Sequence, residues 1–130
     1  MDTTPARRET FDIEGCDISC LVAGKRDNPA VLLVHGFPSS AQTFRDILPR
    51  LADVCFAIAP DLPGFGQSAV IPNATFARFA DLMQGLLAQL GVGRTYLYVH
   101  DYGAPVALEL AMRDPRRVRG LIIQNANAHR

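Results

Sequence analysis

Continuous apolar runs alternate along this chain with stripes of helical period. Ala30–Val34 (AVLLV) is apolar throughout and rich in branched side chains, the pattern of a strand covered on both faces. Val54–Ala59 (VCFAIA), Thr95–Val99 (TYLYV) and Val118–Ile123 (VRGLII) read as three more strands. Between them, Ser40–Leu51 places Phe44, Ile47, Leu48 and Leu51 on one helical face. Thr75–Leu90 carries Phe76, Phe79, Leu82, Met83, Leu86, Leu87 and Leu90, a long amphipathic helix that Gly91 and Gly93 end. Gly103–Arg113 is a helix with a small-residue face of Ala104, Ala107 and Ala111. Pro105 falls in its first turn, where a missing N–H does no harm. Ahead of these elements, residues 10–23 hold two short strand-like pieces around Gly15, and 24–29 is a turn-rich connection. The early pieces predict an antiparallel hairpin. The alternation that follows predicts an α/β fold, a mainly parallel sheet with helices on both faces.

Composition narrows the function classes. A chain of 130 residues suits one domain, 1–130, and 48% hydrophobic content supplies a core. Thirteen basic residues balance thirteen acidic ones, so electrostatic binding to nucleic acid or to a membrane surface is not expected. The apolar runs are too short to span a bilayer, and the opening MDTTPARRETFDIEG has no apolar core of a secretory signal. Cys16, Cys20 and Cys55 are odd in number and lack metal-ligand spacing, which points to buried thiols of a cytoplasmic protein.

Three motifs fall at the carboxyl ends of predicted strands, where open α/β sheets bind their ligands. They are His35-Gly36-Phe37-Pro38, the loop DLPGFGQS at 61–68, and Val99-His100-Asp101-Tyr102-Gly103. A sharp strand-to-helix turn holds one side chain up at the sheet edge and needs small neighbours. In VHDYG the apex residue is Asp101, with Gly103 two positions later.

In this order, HGFP, DLPGFGQS and VHDYGA resemble the N-terminal half of the α/β-hydrolase fold, truncated before the cap domain and the last strands. The similarity covers about the whole chain and is closest to the aspartate-nucleophile branch, the epoxide hydrolases and haloalkane dehalogenases. It implies that Asp101 is the nucleophile. It further implies that the backbone N–H groups of Phe37 and Tyr102 form an oxyanion hole, with His35, Gly36, Pro38 and Gly103 shaping the motifs. No metal or organic cofactor is implied, and the substrate expected is a small apolar molecule. Haloalkane dehalogenases usually carry Asn and Trp where this chain has Phe37 and Tyr102. HGFP is what many epoxide hydrolases show, so that activity stands ahead. The general-base His of such enzymes follows the last strand, and the position where some place the acid is Asn125 here.

The residue type argues for the same chemistry. A serine needs a base to become a nucleophile, whereas a carboxylate with an ordinary pKa of about 3.9 is already ionised at neutral pH. Attack by Asp101 on a saturated carbon gives an ester that water can hydrolyse; a serine would give an inert ether. An ordinary esterase is therefore disfavoured. The alternative of another class is a non-catalytic remnant or assembly module, completed by a second copy or another chain along the edge strand 118–123. For the remaining polar residues the structural reading is preferred. His35 shapes its turn, His100 points away from Asp101, and Asp61 hydrogen-bonds its own turn. The arginines 113, 116, 117 and 119 form a solvated helix end. His129 is kept as a minor candidate base.

Overall fold

Glu14 and Gly15, at φ 53° and 81°, reverse the chain between β1 (Arg7–Ile13) and β2 (Cys16–Ala23). The two strands pair antiparallel from Arg7 opposite Val22 to Ile13 opposite Cys16, the expected hairpin. In this computed structural model the described residues are 6–35, 40–70, 75–100 and 103–124. The other strands are β3 (Ala30–Val34), β4 (Phe56–Pro60), β5 (Thr95–His100) and β6 (Val118–Gln124). They form one six-stranded sheet in the order β1-β2-β4-β3-β5-β6. β4, β3, β5 and β6 run parallel, and β2 pairs antiparallel with β4.

Helices cover both faces. α2 (Phe76–Gln89) and α3 (Ala104–Arg113) pack on one face, where Phe79, Leu82, Met83, Leu86, Val106 and Leu110 meet Leu32, Ile58 and Leu97. On the other face Phe44 and Leu48 pack against Leu33, Ala57 and Ala59. Thr75 caps α2, its side chain accepting from Arg78 N at 3.0 Å, and Gly91 at φ 74° ends the helix.

Two expectations change. Ser40–Leu51 buries the expected apolar face, but the helix is broken into a 3-10 turn (Ala41–Phe44) and the single-turn α1 (Leu48–Leu51). Pro49 explains the break, because it cannot donate to the Arg45 carbonyl and its ring would strike that group. β4 begins at Phe56 rather than Val54, which is 65% exposed. The N–H groups of Val54 and Cys55 are taken by Leu51 O at the end of α1, so they are lost to the sheet.

The arginine cluster also divides. Arg116 and Arg117 are solvated, as expected. Arg113 instead locks α3 onto α2, donating to Asp81 at 2.6 Å, Gln84 at 2.7 Å and the Ala77 carbonyl at 3.0 Å. Among the described residues no helix is long and apolar enough to cross a membrane. β6 is an edge strand of the described sheet and exposes Leu121, Ile122 and Ile123.

The packing of α2 separates two residues of its apolar stripe. Leu82 is fully buried, whereas Phe76 is 49% exposed. Leu82→Ala is expected to lower the unfolding free energy in urea by about 2–5 kcal/mol. Phe76→Ala should stay within about 0.5–1 kcal/mol of the parent.

Candidate active site

The chain leaves β3 and β5 toward opposite faces of the sheet. After β3 it builds the 41–51 segment on one face, and after β5 it builds α3 on the other. β3 and β5 are neighbours, paired in parallel from Ala30 opposite Thr95 to Val34 opposite Val99. Diverging connections from adjacent parallel strands open a crevice at their carboxyl ends. His35 follows β3 there, and only 101–103 separate β5 from α3.

Gly103 shows how close the two connections come. A Cβ at this position would lie 2.6 Å from His35 O and 2.9 Å from Val34 O. Its φ is −81°, so the demand is for space rather than for an unusual backbone. A side chain would push the start of α3 away from the end of β3.

His35 is fully buried. Its Nε2 accepts from Leu62 N at 2.9 Å, and its ring meets Phe65 edge-on at 5.7 Å between centroids. An imidazole holding a backbone N–H in this way ties the end of β3 to the turn that follows β4.

Asp61 is also fully buried and joins more of the site than its own turn. Oδ1 accepts from Ala41 N at 2.7 Å, across to the connection after β3. Oδ2 accepts from Gln67 N at 3.0 Å and from Arg8 at 2.9 Å. Arg8 donates as well to Ser19 Oγ at 2.7 Å. Ser68 Oγ donates to Asp61 O at 2.6 Å and accepts from Ser19 N at 2.9 Å, stitching the same loop to β2. Gly66 lies so near that a Cβ there would come 2.3 Å from Asp61 Cγ. Burial first, and the Asp61 carboxylate second, push the Cys20 thiol up to about 12, so it is a neutral core group.

Asp101, Tyr102, Gly36, Phe37 and Pro38 lie outside the described residues, as do Asn125 and His129. The described residues bring together His35, Asp61, Leu62 and Gly103. His100 ends β5 opposite Gln124 of β6, and among the described residues its buried Nδ1 has no hydrogen-bond partner. Sequence reading missed Arg8, Ser19 and Ser68. Their signal is weak: two consecutive arginines open β1, and only the strand's pleat decides which of them reaches inward. Among the described residues no group of three His, Cys, Asp or Glu could hold a metal ion.

Comparison with known proteins agrees with this geometry. The family model described as alpha/beta hydrolase fold matches residues 29–130. An uncharacterized hydrolase of Saccharomyces cerevisiae is 43% identical over 110 residues, covering 82% of this chain and 38% of that protein. A haloalkane dehalogenase of Bradyrhizobium diazoefficiens is 41% identical over 110 residues, covering 82% of this chain and 35% of that protein. The crystal structure of epoxide hydrolase A from Mycobacterium thermoresistibile superposes with a TM-score of 0.83 at 31% identity, covering 91% of this chain and 38% of that one. The chain thus spans little more than a third of the length of the relatives it matches.

The contact at Gly103 is testable by stability alone. Gly103→Ala should cost about 1–3 kcal/mol in chemical denaturation through overpacking against the β3 backbone. Gly93→Ala, with nothing within 4 Å of the new Cβ, should change stability by about 0.5 kcal/mol or less.

Proposed function

This chain belongs to the α/β-hydrolase fold family, and on that premise we propose that it carries the nucleophile of a hydrolase acting at saturated carbon through Asp101. Epoxides stand ahead of alkyl halides as substrates. The observation that supports the reading is the divergence of the chain from the adjacent parallel strands β3 and β5 toward opposite faces, with the start of α3 abutting the end of β3 at Gly103. Relatives named haloalkane dehalogenase and epoxide hydrolase lie on both sides of the choice.

In this reading an Asp101 carboxylate oxygen attacks the carbon of a small apolar epoxide. The C–O bond of the ring breaks, its electron pair stays on the ring oxygen, and that oxygen takes a proton. The product is an ester on Asp101. Water then adds to the ester carbonyl, and the negative charge that develops on the carbonyl oxygen is received by the N–H groups of Phe37 and Tyr102. Donors fixed before charge develops lower the barrier without reorganising at the moment of reaction. We assign no residue of this chain as the base that activates the water; in this reading His35 is a strut. The three free cysteines favour a cytoplasmic setting.

Exposed Leu121, Ile122 and Ile123 on the edge strand β6 favour a second reading, in which the chain works as an assembly module. Light scattering at high concentration tests it: a dimer that Ile122→Lys dissociates upholds pairing along β6, and a monomer at all concentrations removes it. The hydrolase reading is tested by intact mass after incubation with styrene oxide or 1-bromobutane. A one-equivalent adduct is expected, mapped to the peptide with Asp101 and absent in Asp101→Asn. An adduct that persists in that variant excludes Asp101 as the nucleophile.

A further inference from the structure

The edge of the sheet opposite the candidate site carries a groove of its own. It lies at the amino ends of β3, β5 and β6, bounded by the turn before β3, the connection 91–94 and the start of β6. Its volume is about 310 Å³, at the small end of the range common for small-molecule sites (about 300–1,000 Å³). Arg26, Arg94 and Arg119 line it, and Asp27 is the single acidic residue among its described lining.

Most other arginines of the chain are answered by a carboxylate. Arg7, Arg8, Arg78, Arg113, Arg116 and Arg117 each ion-pair with an Asp or Glu. Among the described residues Arg26, Arg45, Arg50, Arg94 and Arg119 form no such pair, and three of these five line the one groove. The groups that hold two of the three are uncharged. Arg26 donates to Leu90 O at 3.2 Å and lies over the Phe56 ring, 5.6 Å from its centroid. Arg94 Nε donates to Arg116 O at 3.2 Å. A carbonyl steers a guanidinium without cancelling its charge, and one such bond takes one of five N–H donors. Arg26 answers the carbonyl end of α2, which carries partial negative charge. Arg94 and Arg119 have no comparable offset.

Arg119 reaches the groove through an irregularity of the sheet. Thr95 pairs with Val118 and Tyr96 with Gly120, so Arg119 is an extra residue in β6 with no opposite number on β5. A bulge of this kind breaks the alternation of side chains and re-aims one of them, and bulges concentrate beside functional sites.

We propose that this groove is an oxyanion site for a small phosphorylated ligand, with Arg94 and Arg119 as its principal recognition groups and Arg26 in support. Three guanidiniums against one carboxylate leave a surplus of two positive charges, which suits a phosphate group of about −1.5 to −2 better than a monocarboxylate. The planar guanidinium also matches two phosphate oxygens at once. A small ligand fits better than an extended polyanion, because the chain as a whole is neutral and these arginines share a concavity. The site stands apart from Asp101 and needs no part of the hydrolase reading.

The test uses the whole chain. Backbone amide shifts are followed by NMR as inorganic pyrophosphate is added at constant ionic strength, since salt screens exposed charges. Saturable shifts are expected at Asn28, Gly93 and Arg119, with Leu33 in the central sheet unmoved. Arg94→Gln and Arg119→Gln should each weaken binding by about 10-fold, the loss of one charge-assisted contact. Arg50→Gln, which removes an arginine outside the groove, should stay within about 2-fold of the parent. Shifts that grow linearly without saturating, equal weakening by Arg50→Gln, or acetate saturating the same residues as tightly as pyrophosphate overturns the proposal. The lipid source of phosphate is tested by co-sedimentation with phosphatidylcholine vesicles containing phosphatidic acid. Retention that pyrophosphate does not release overturns the small-ligand assignment, and absence of retention upholds it. Should either glutamine variant fail to fold, Arg119→Lys, which keeps the charge and loses the planar fork, should weaken pyrophosphate binding by about 3-fold. Unaltered binding in that variant overturns the role of Arg119.

Discussion

At the carboxyl edge of the sheet, the buried Asp61 carboxylate takes donors from the connection after β3, from its own turn and from the edge strand β1. Each oxygen satisfies a group that would otherwise be orphaned in the interior, where a missing hydrogen bond costs more than one made returns. The carboxylate is ion-paired with Arg8 and is approached closely, which requires the absence of a side chain at Gly66. Ser19 and Ser68 complete the set by tying the turn and the guanidinium to β2. The polar frame of the site is therefore held from the antiparallel hairpin as well as from the parallel strands.

Geometry at this edge follows from sheet topology in combination with one glycine. The chain diverges from β3 and β5 toward opposite faces, and Gly103 lets α3 begin against the His35 carbonyl. The chain belongs to the α/β-hydrolase fold family and is similar to a haloalkane dehalogenase and an epoxide hydrolase. Within the proposed mechanism, the ester carbonyl formed on the nucleophile of one connection has to face an N–H from the other. A shift of either connection by about 1 Å would then be felt in the rate.

Much of the fold was legible in the residues. The hairpin, the buried strands and α2 follow from apolar periodicity because tertiary packing there agrees with local preference. The failures have local physical causes. The stripe of Phe44, Ile47, Leu48 and Leu51 is a correct statement about burial, but period alone does not register that Pro49 breaks the hydrogen-bond ladder. Val54 looks like a strand residue until the end of α1 claims its N–H. Arg113 reads as one more solvated arginine, because its partners Asp81 and Gln84 lie on another helix.

The site divides along the same line. Residues in contiguous motifs, such as His35 in HGFP and Asp61 in DLPGFGQS, announce themselves because tight turns demand glycine, proline and short polar side chains at set spacings. That information is local, and so are the strand pattern and the candidate nucleophile read from it. What Asp61 holds, and what holds Asp61, is information of another kind. Arg8 and Asp61 are 53 positions apart, and Ala41 and Asp61 are 20 apart. Their meeting depends on β2 pairing with β4 and on β1 lying outside β2, with a register that turns Arg8 inward. Pairing and register are settled by the burial of the whole sheet, so those contacts become visible only once the chain has folded.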